Sequence, residues 1–264
     1  MLEWTDYSLS RDRSQHKKAR VNVFGGSAKS PGAAYLSAEA AQRVGAGYVR
    51  LYFSDFGGSR ISLREASFQY HPQWKWSDLE AADAVVCGPG GVPKNFQKLL
   101  RLAAPQVYDA SALVSEKFWF QKKSEGFRIL TPHPGEAARM LKVSVEEILG
   151  DELGAAQELS RRTQSAVYLK SQPAFLVFPD REQYYVNLSL HPGFGTAGSG
   201  DVLAGILGGH LALQAKNPEE AVISSIAFQQ ALGREMGLSE GWISSDQLGL
   251  FQAAFRRLRK RGRP

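Results

Sequence analysis

From Val21 onward, short apolar runs alternate with longer stretches whose apolar positions recur every three or four residues. The short runs suit strands covered on both faces and the longer ones suit amphipathic helices, so the alternation predicts parallel strands joined by crossover helices. "VNVF" (21–24), "YVRLYF" (48–53), "AVVCG" (84–88), "QVYDA" (106–110) and "FRIL" (127–130) read as strands. "AAYLSAEAAQRVG" (33–45), closed by Gly45, "PKNFQKLLRLA" (93–103) and "PGEAARML" (134–141) read as helices between them. The spacing then tightens. "AVYLK" (166–170), "AFLVFPD" (174–180) and "QYYVN" (183–187) lie too close for crossover helices, which predicts neighbouring antiparallel strands added to the sheet. Three helical patterns finish the chain, over Gly200–Leu213, residues 218–237 and residues 244–260, and predict a helical layer on one face.

Composition agrees with this picture: 264 residues, 43% of them apolar and 22% charged, suit a globular α/β protein with a sizeable core. No repeat, low-complexity tract or flexible linker divides the chain, so one domain is expected over 1–264, with an N-terminal arm at 1–20 and a basic tail at 258–264. The first residues show no apolar segment before a small-residue cleavage site. No later run approaches the roughly 20 apolar residues of a membrane helix, so the expected location is cytoplasmic. Cys87, the only cysteine, sits in an apolar run and reads as a buried thiol, which excludes a disulfide framework or a cysteine metal site. A net charge of +6 suits an anionic partner. Much of that charge lies in "RDRSQHKKAR" (11–20) and "RRLRKRGRP" (256–264), without the interleaved aromatics of single-strand binders, so solvated ends are expected rather than a nucleic-acid site. The aromatic-rich stretch "ISLREASFQYHPQWKW" (61–76) is the one local hint of an interface.

Open α/β sheets bind ligands beyond the carboxyl ends of their strands, where four small-residue loops of this chain fall. "GGSAKSPGA" (25–33) and "CGPGGVP" (87–93) each follow a strand and can present backbone amides to a ligand. The first is no Walker A loop, because no Lys-Ser/Thr pair follows its last glycine. In "TPHPGEAARML", Pro132 and Pro134 hold His133 rigidly before a helix, where it can bond a ligand or lie idle at the surface. Glu136 suits the first helical turn as a favourable charge, and equally a Mg²⁺ or substrate contact. The fourth loop, "GTAGSGD" (195–201), runs straight into a helix whose positive end faces it. Asp201 there is either a cap or a base that takes a proton from an attacking hydroxyl.

Taken in order, "GGSAKSPGA", "GPGG", "DASAL", "TPHPGE" and "GTAGSGDVLAGILGGHLA" resemble the NAD(P)H-hydrate dehydratases, a branch of the ribokinase-like superfamily. The likeness spans Val21 to about Leu213 and is most specific in "TAGSGDVLAG". It implies a three-layer α/β/α fold with a mostly parallel central sheet and an antiparallel extension. It implies a lyase that dehydrates hydrated NADH or NADPH at the expense of ADP or ATP, with Mg²⁺ bridging the nucleotide's phosphates. By that resemblance Asp201 takes the proton of the 6-hydroxyl, and Gly198, Ser199 and Gly200 hold the transferred phosphoryl group. Ala33, Gly90 and His133 face the hydrated nicotinamide nucleotide, while Lys170, Ser171, Gln172, Pro173 and Ala174 form the loop that contacts ADP or ATP. A homo-oligomer is implied as well.

Several positions depart from the family pattern. "KSQPA" (170–174) stands where the family usually reads K-G-x-x-T, and "KSPGA" (29–33) where it reads G-Y-T-G-A. Ser111 replaces a frequent second aspartate, and Gln229 a common helical histidine. Two readings follow: a working dehydratase with altered binding loops, or a chain that keeps the fold and Asp201 while its reaction is weakened, changed or lost. A kinase for a small hydroxylated vitamin precursor would use the same anion hole and base. A nucleic-acid partner recruited by the basic tail is the reading from a different class.

Overall fold

In the computed structural model, which describes residues 18–55, 69–71, 75–114, 125–188, 191–237 and 240–261, the apolar runs build one nine-stranded sheet. Its strands are β1 (Arg20–Ser27), β2 (Tyr48–Asp55), β3 (Gln69–His71), β4 (Ala84–Cys87), β5 (Gln106–Tyr108), β6 (Arg128–Leu130), β7 (Ala166–Leu169), β8 (Ala174–Val177) and β9 (Tyr184–Asn187). The order across the sheet is β3-β2-β1-β4-β5-β6-β7-β8-β9. Pairing is parallel from β3 to β7 and antiparallel at β8 and β9, as the tightened spacing predicts. Strand β3 carries no apolar pattern and was not legible as a strand. Apart from Gln69–His71 and Lys75–Trp76, the aromatic-rich stretch 61–76 lies outside the described residues, as do 1–17 of the arm and 262–264 of the tail.

Alternate residues of each strand face opposite ways, and both sets are apolar because both faces are covered. Val21, Val23, Leu51, Val86, Val107, Ile129 and Tyr168 point to one face. There they meet helices α1 (Pro31–Val44), α6 (Ser199–Leu213) and α7 (Pro218–Met236). Phe24, Tyr52, Val85, Tyr108, Leu130 and Val167 point to the other. That face is closed by α2 (Trp76–Glu80), α3 (Pro134–Leu141), α4 (Val145–Gly150) and α5 (Glu152–Thr163). Helices α8 (Ser244–Gly249) and α9 (Phe251–Arg261) complete the α1–α6–α7 side. Among the described residues no helix is long and apolar enough to cross a membrane.

Two helical readings are corrected. The stretch 93–103 forms only a 3₁₀ run over Phe96–Arg101, because Pro93 lacks an amide hydrogen and Asn95 sits left-handed at φ 61°. The stretch 244–260 is two helices: the Leu250 amide bonds Gln247 three residues back, tightening the backbone at the junction. Helices α4 and α5, which the apolar pattern left unread, are marked by local caps: Ser144 accepts from the Glu147 amide and Asp151 from that of Gly154.

Helix α6 sets the geometry of the molecule. It is buried along almost its whole length, and its glycines face the neighbours it touches most closely. A β-carbon on Gly205 would lie 2.1 Å from the Ser37 carbonyl oxygen, one on Gly208 2.3 Å from Val86, and one on Gly209 2.1 Å from Val44. Only hydrogen fits at these points, which is why α6 can lie against α1 and the sheet together. His210, buried on this helix, bonds Ser225 at 2.9 Å, and burial pushes its pKa down to about 3, so it stays neutral. Gly205→Ala should gain a few tenths to about 1 kcal/mol of helix propensity and lose more to overpacking. The expected net loss of about 1–3 kcal/mol is measurable as a lowered denaturant midpoint.

Candidate active site

The chain enters the sheet at β1, grows outward to β2 and β3, then returns to place β4 on the other side of β1. Neighbouring connections therefore leave in opposite directions at β1 and β4, and a crevice opens at their carboxyl ends. Both glycine loops are there and are laced together. The Gly26 amide donates to the Pro89 carbonyl at 2.7 Å, and the Ser54 hydroxyl donates to the Gly26 carbonyl. Gly90 has φ 72°, and a β-carbon on it would lie 2.5 Å from the Ser30 carbonyl and 2.8 Å from Ala33. Ala33 and Gly90 are thus neighbours.

The loop before α6 is the expected anion cradle. Gly198 caps the helix in the left-handed region at φ 93°, where a side chain would press on Leu36 and Ser244. The Ser199 amide bonds the Thr196 carbonyl at 3.1 Å, whereas the amides of Gly200 and Asp201 find no main-chain acceptor among the described residues. Those two donors, with the positive end of a 15-residue helix behind them, form the part of the loop that can receive a phosphoryl oxygen. The Ser199 hydroxyl is turned inward: it accepts from Gln247 Nε2 at 2.7 Å and lies 3.1 Å from the Thr196 hydroxyl. Ser244 donates to the Ala197 carbonyl. Helix α8 so clamps the cradle from outside, a support that no motif in the sequence announced.

Opposite the cradle stands an ion pair whose carboxylate is buried and whose lysine is part-buried. Lys170, just past β7, donates to Asp109 Oδ1 at 2.6 Å, and Thr131 donates to the same oxygen at 2.8 Å. Both partners overhang the helix start: a β-carbon on Gly200 would lie 3.2 Å from Lys170 Nζ and 3.3 Å from Asp109 Oδ2. Burial by itself would depress the Lys170 pKa, but the negative charges of Asp109, Glu136 and Asp201 outweigh it and leave the pKa raised. Asp201 is pushed up to about 7, first by burial and then by the charge of Asp109, with Lys170 opposing. A carboxyl group that titrates near neutrality beside free amides is equipped to take the proton of a hydroxyl group as that oxygen becomes phosphorylated.

The other expected residues are distributed unequally. His133 caps α3: its Nδ1 accepts from the Gly135 amide at 3.1 Å, and its Nε2 lies 3.4 Å from Glu136 Oε1. The ring is half exposed. Glu136 spends Oε2 on the His133 amide, at 2.9 Å, and its charge reaches Lys170, which is tied to the same loop through the Pro132 carbonyl. In "KSQPA" only Gln172 is well exposed. The Ser171 hydroxyl donates to the Pro173 carbonyl at 2.6 Å, and Ala174 is fully buried in β8, where it packs in the core and offers no surface to a nucleotide. Gln229 accepts from Tyr168 at 3.0 Å in a buried network with Asn187. Asp109 and Thr131 were missed. A carboxylate directly after the apolar strand in "VYDA" was the available signal.

A family model described as NAD(P)H-hydrate dehydratase matches residues 21–253. The bifunctional NAD(P)H-hydrate repair enzyme Nnr of Coxiella burnetii is 32% identical over 266 residues, covering 93% of this chain and 53% of that protein. The chain therefore spans about half the length of such bifunctional relatives. The ADP-dependent (S)-NAD(P)H-hydrate dehydratase of Bacillus subtilis is 30% identical over 248 residues, covering 86% of this chain and 87% of that protein. A crystal structure of the ADP/ATP-dependent NAD(P)H-hydrate dehydratase from Bacillus subtilis, co-crystallized with ATP/Mg²⁺ and soaked with CoA, aligns with a TM-score of 0.76. Identity there is 24%, over 92% of this chain and 93% of that one. The fold is ribokinase-like.

The titration of Asp201 has a consequence for stability. Because the folded chain holds this proton more tightly than the unfolded one, Asp201 destabilises the fold progressively as pH rises from 3.8 to about 7. The penalty reaches at most about 4 kcal/mol. Asp201→Asn should accordingly melt above the wild type at pH 8, with the gap closing as pH falls towards 4, in paired thermal scans.

Proposed function

The chain belongs to the NAD(P)H-hydrate dehydratase family, and from that membership we propose that it dehydrates hydrated NADH and NADPH with ADP or ATP as phosphoryl donor. The observation that carries the proposal is Asp201, a carboxyl group poised near neutrality at the mouth of the anion cradle and facing the Asp109–Lys170 pair. Asp201 takes the proton of the 6-hydroxyl while that oxygen attacks the terminal phosphoryl group of the nucleotide. The Gly200 and Asp201 amides, with the cradle formed by Gly198, Ser199 and Gly200, receive the charge on the phosphoryl oxygens. Phosphorylation turns hydroxide, a poor leaving group, into phosphate. Loss of phosphate with the proton of the adjacent ring carbon restores the double bond, so hydrated NADH and ATP yield NADH, ADP and phosphate.

Ala33, Gly90 and the outer side of His133 are assigned to the hydrated nicotinamide nucleotide. The nucleotide side is assigned to Lys170 and to the backbone around Gln172, since Ser171 and Ala174 have no group turned outward to give. Mg²⁺ fits as a companion of the phosphates: among the described residues no group of three or more potential ligands is gathered for it, and Mg²⁺ on nucleotides keeps mainly phosphate and water oxygens. When bound, it would neutralise charge on the donor. We read residues 1–264 as one domain and the enzyme as cytoplasmic from the sequence pattern, and as a homo-oligomer from the resemblance. The vitamin-precursor kinase and nucleic-acid readings are not favoured, since a relative that matches most of this chain carries the dehydratase name.

Incubation with hydrated NADH, Mg²⁺ and either ADP or ATP should regenerate the absorbance of reduced nicotinamide. No recovery with either nucleotide would overturn the proposal. Turnover should rise with pH through about 7, as Asp201 loses its proton. Asp201→Asn should cut turnover by about 10²–10⁴-fold while nucleotide affinity, measured by calorimetry, stays close to wild type. Equal loss of both would mean that the residue is structural.

A further inference from the structure

One side chain at this site is not explained by the reaction as derived. Asp109 is 1% exposed, yet only its Oδ1 is engaged, by Lys170 at 2.6 Å and Thr131 at 2.8 Å. Its Oδ2 is buried without a hydrogen-bond partner among the described residues and points to the space over Gly200. An unsatisfied buried carboxylate oxygen is costly, and core packing has no use for one. Its location is informative: Lys170 Nζ and Asp109 Oδ2 lie 3.2 and 3.3 Å from the same hypothetical β-carbon of Gly200, at the residue before Asp201.

We propose that Asp109 is a positioning residue for both halves of the site: its carboxylate pins the Lys170 ammonium over the anion cradle, and its free oxygen sets a fixed negative charge beside Asp201. This rests on the dehydratase reading, since it gives Asp201 a proton to take and Lys170 a phosphate to meet. The lysine acts as a held cation, with its long side chain drawn to one place before the nucleotide arrives. The negative charge favours the protonated form of Asp201, which keeps the proton on that residue once it has been taken.

The groups that act on Asp201 by charge are Asp109 from the end of β5 and Lys170 from the end of β7, and Glu136 on α3 acts on Lys170 in turn. Several charges on the other elements packed against α6 are engaged elsewhere. On α1, Glu39 pairs with Arg43. On α7, Glu235 pairs with Arg257 and Glu219 with Arg181, while Ser225 meets the neutral His210. On α8, Asp246 accepts from the Ile243 amide. Asp109 is therefore the negative neighbour whose removal Asp201 should register.

The test is a carbon-13 titration of the full chain labelled at the aspartate carboxyl carbon, with the Asp201 resonance assigned by its loss in Asp201→Asn. In Asp109→Asn the Asp201 carboxyl should titrate lower by about one pH unit or more. An unchanged titration would overturn the proposal. Should Asp109→Asn fail to fold, Lys170→Met tests the same geometry with opposite sign: Asp201 should then titrate higher, and no change would again overturn it. Neither titration requires turnover, so they decide the proposal even if hydrated NADH proves not to be a substrate. With an active enzyme, Asp109→Asn should move the rising limb of the kcat profile to lower pH and raise KM for ATP. The Asp109→Asn/Lys170→Met double variant should show the KM of Lys170→Met alone. A multiplicative further rise would mean that Asp109 meets the nucleotide directly and is not a positioning residue.

Discussion

The closeness with which α6 lies against α1 and the sheet is the constraint on which the rest of the structure depends. Gly205 against the Ser37 carbonyl, Gly208 against Val86 and Gly209 against Val44 leave no room for a methyl group. A helix buried this completely cannot slide or rotate without clashing, because packed interiors resist small displacements. Its amino end is therefore delivered to a defined place above β5 and β7. Side chains at all three positions would push the helix outward and carry the Gly200 and Asp201 amides away from Asp109 and Lys170, even with the loop sequence unchanged.

Burial does the electrostatic work at that end. In water Asp201 would be an ordinary carboxylate and Lys170 an ordinary surface ammonium. Here low solvent access makes each sensitive to the other and to Asp109, so Asp201 is held near neutrality while the lysine remains a cation. The positive end of α6 and the ammonium face each other across the space above Gly200, which lacks a side chain to fill it.

The departures from the family pattern look different once they are placed. Gln229 sits in a buried network with Asn187 and with Tyr168, on the strand that leads to Lys170. "KSQPA" keeps its lysine where the ion pair requires it, and Ser171 closes the turn on itself through Pro173. What has been given up is a hydroxyl donor at Ala174, which faces the core. In this loop the lysine is retained, and Asp201 stands unchanged in "GTAGSGD".

The parallel strands, the antiparallel edge and the buried helix after "GTAGSGD" were legible in order because each rests on local periodicity and spacing: two-sided burial makes an unbroken apolar run, and a crossover needs a helix's length of chain. Asp201 was legible for the same reason, as a carboxylate in the first turn of a recognisable helix. Strand β3 and helices α4 and α5 were not, since three residues of a polar edge strand and short capped helices carry little period. The sequence by itself determined which segments form elements and which loops are rich in small residues. The tertiary structure decided which side chains share a space. Asp109, Thr131, Lys170 and Gly200 lie up to 91 residues apart in the chain, and only the parallel register of β5, β6 and β7, with α6 packed against β1, β4 and β5, brings them together. No local pattern encodes that meeting, because it depends on the sum of many packing contacts along the sheet.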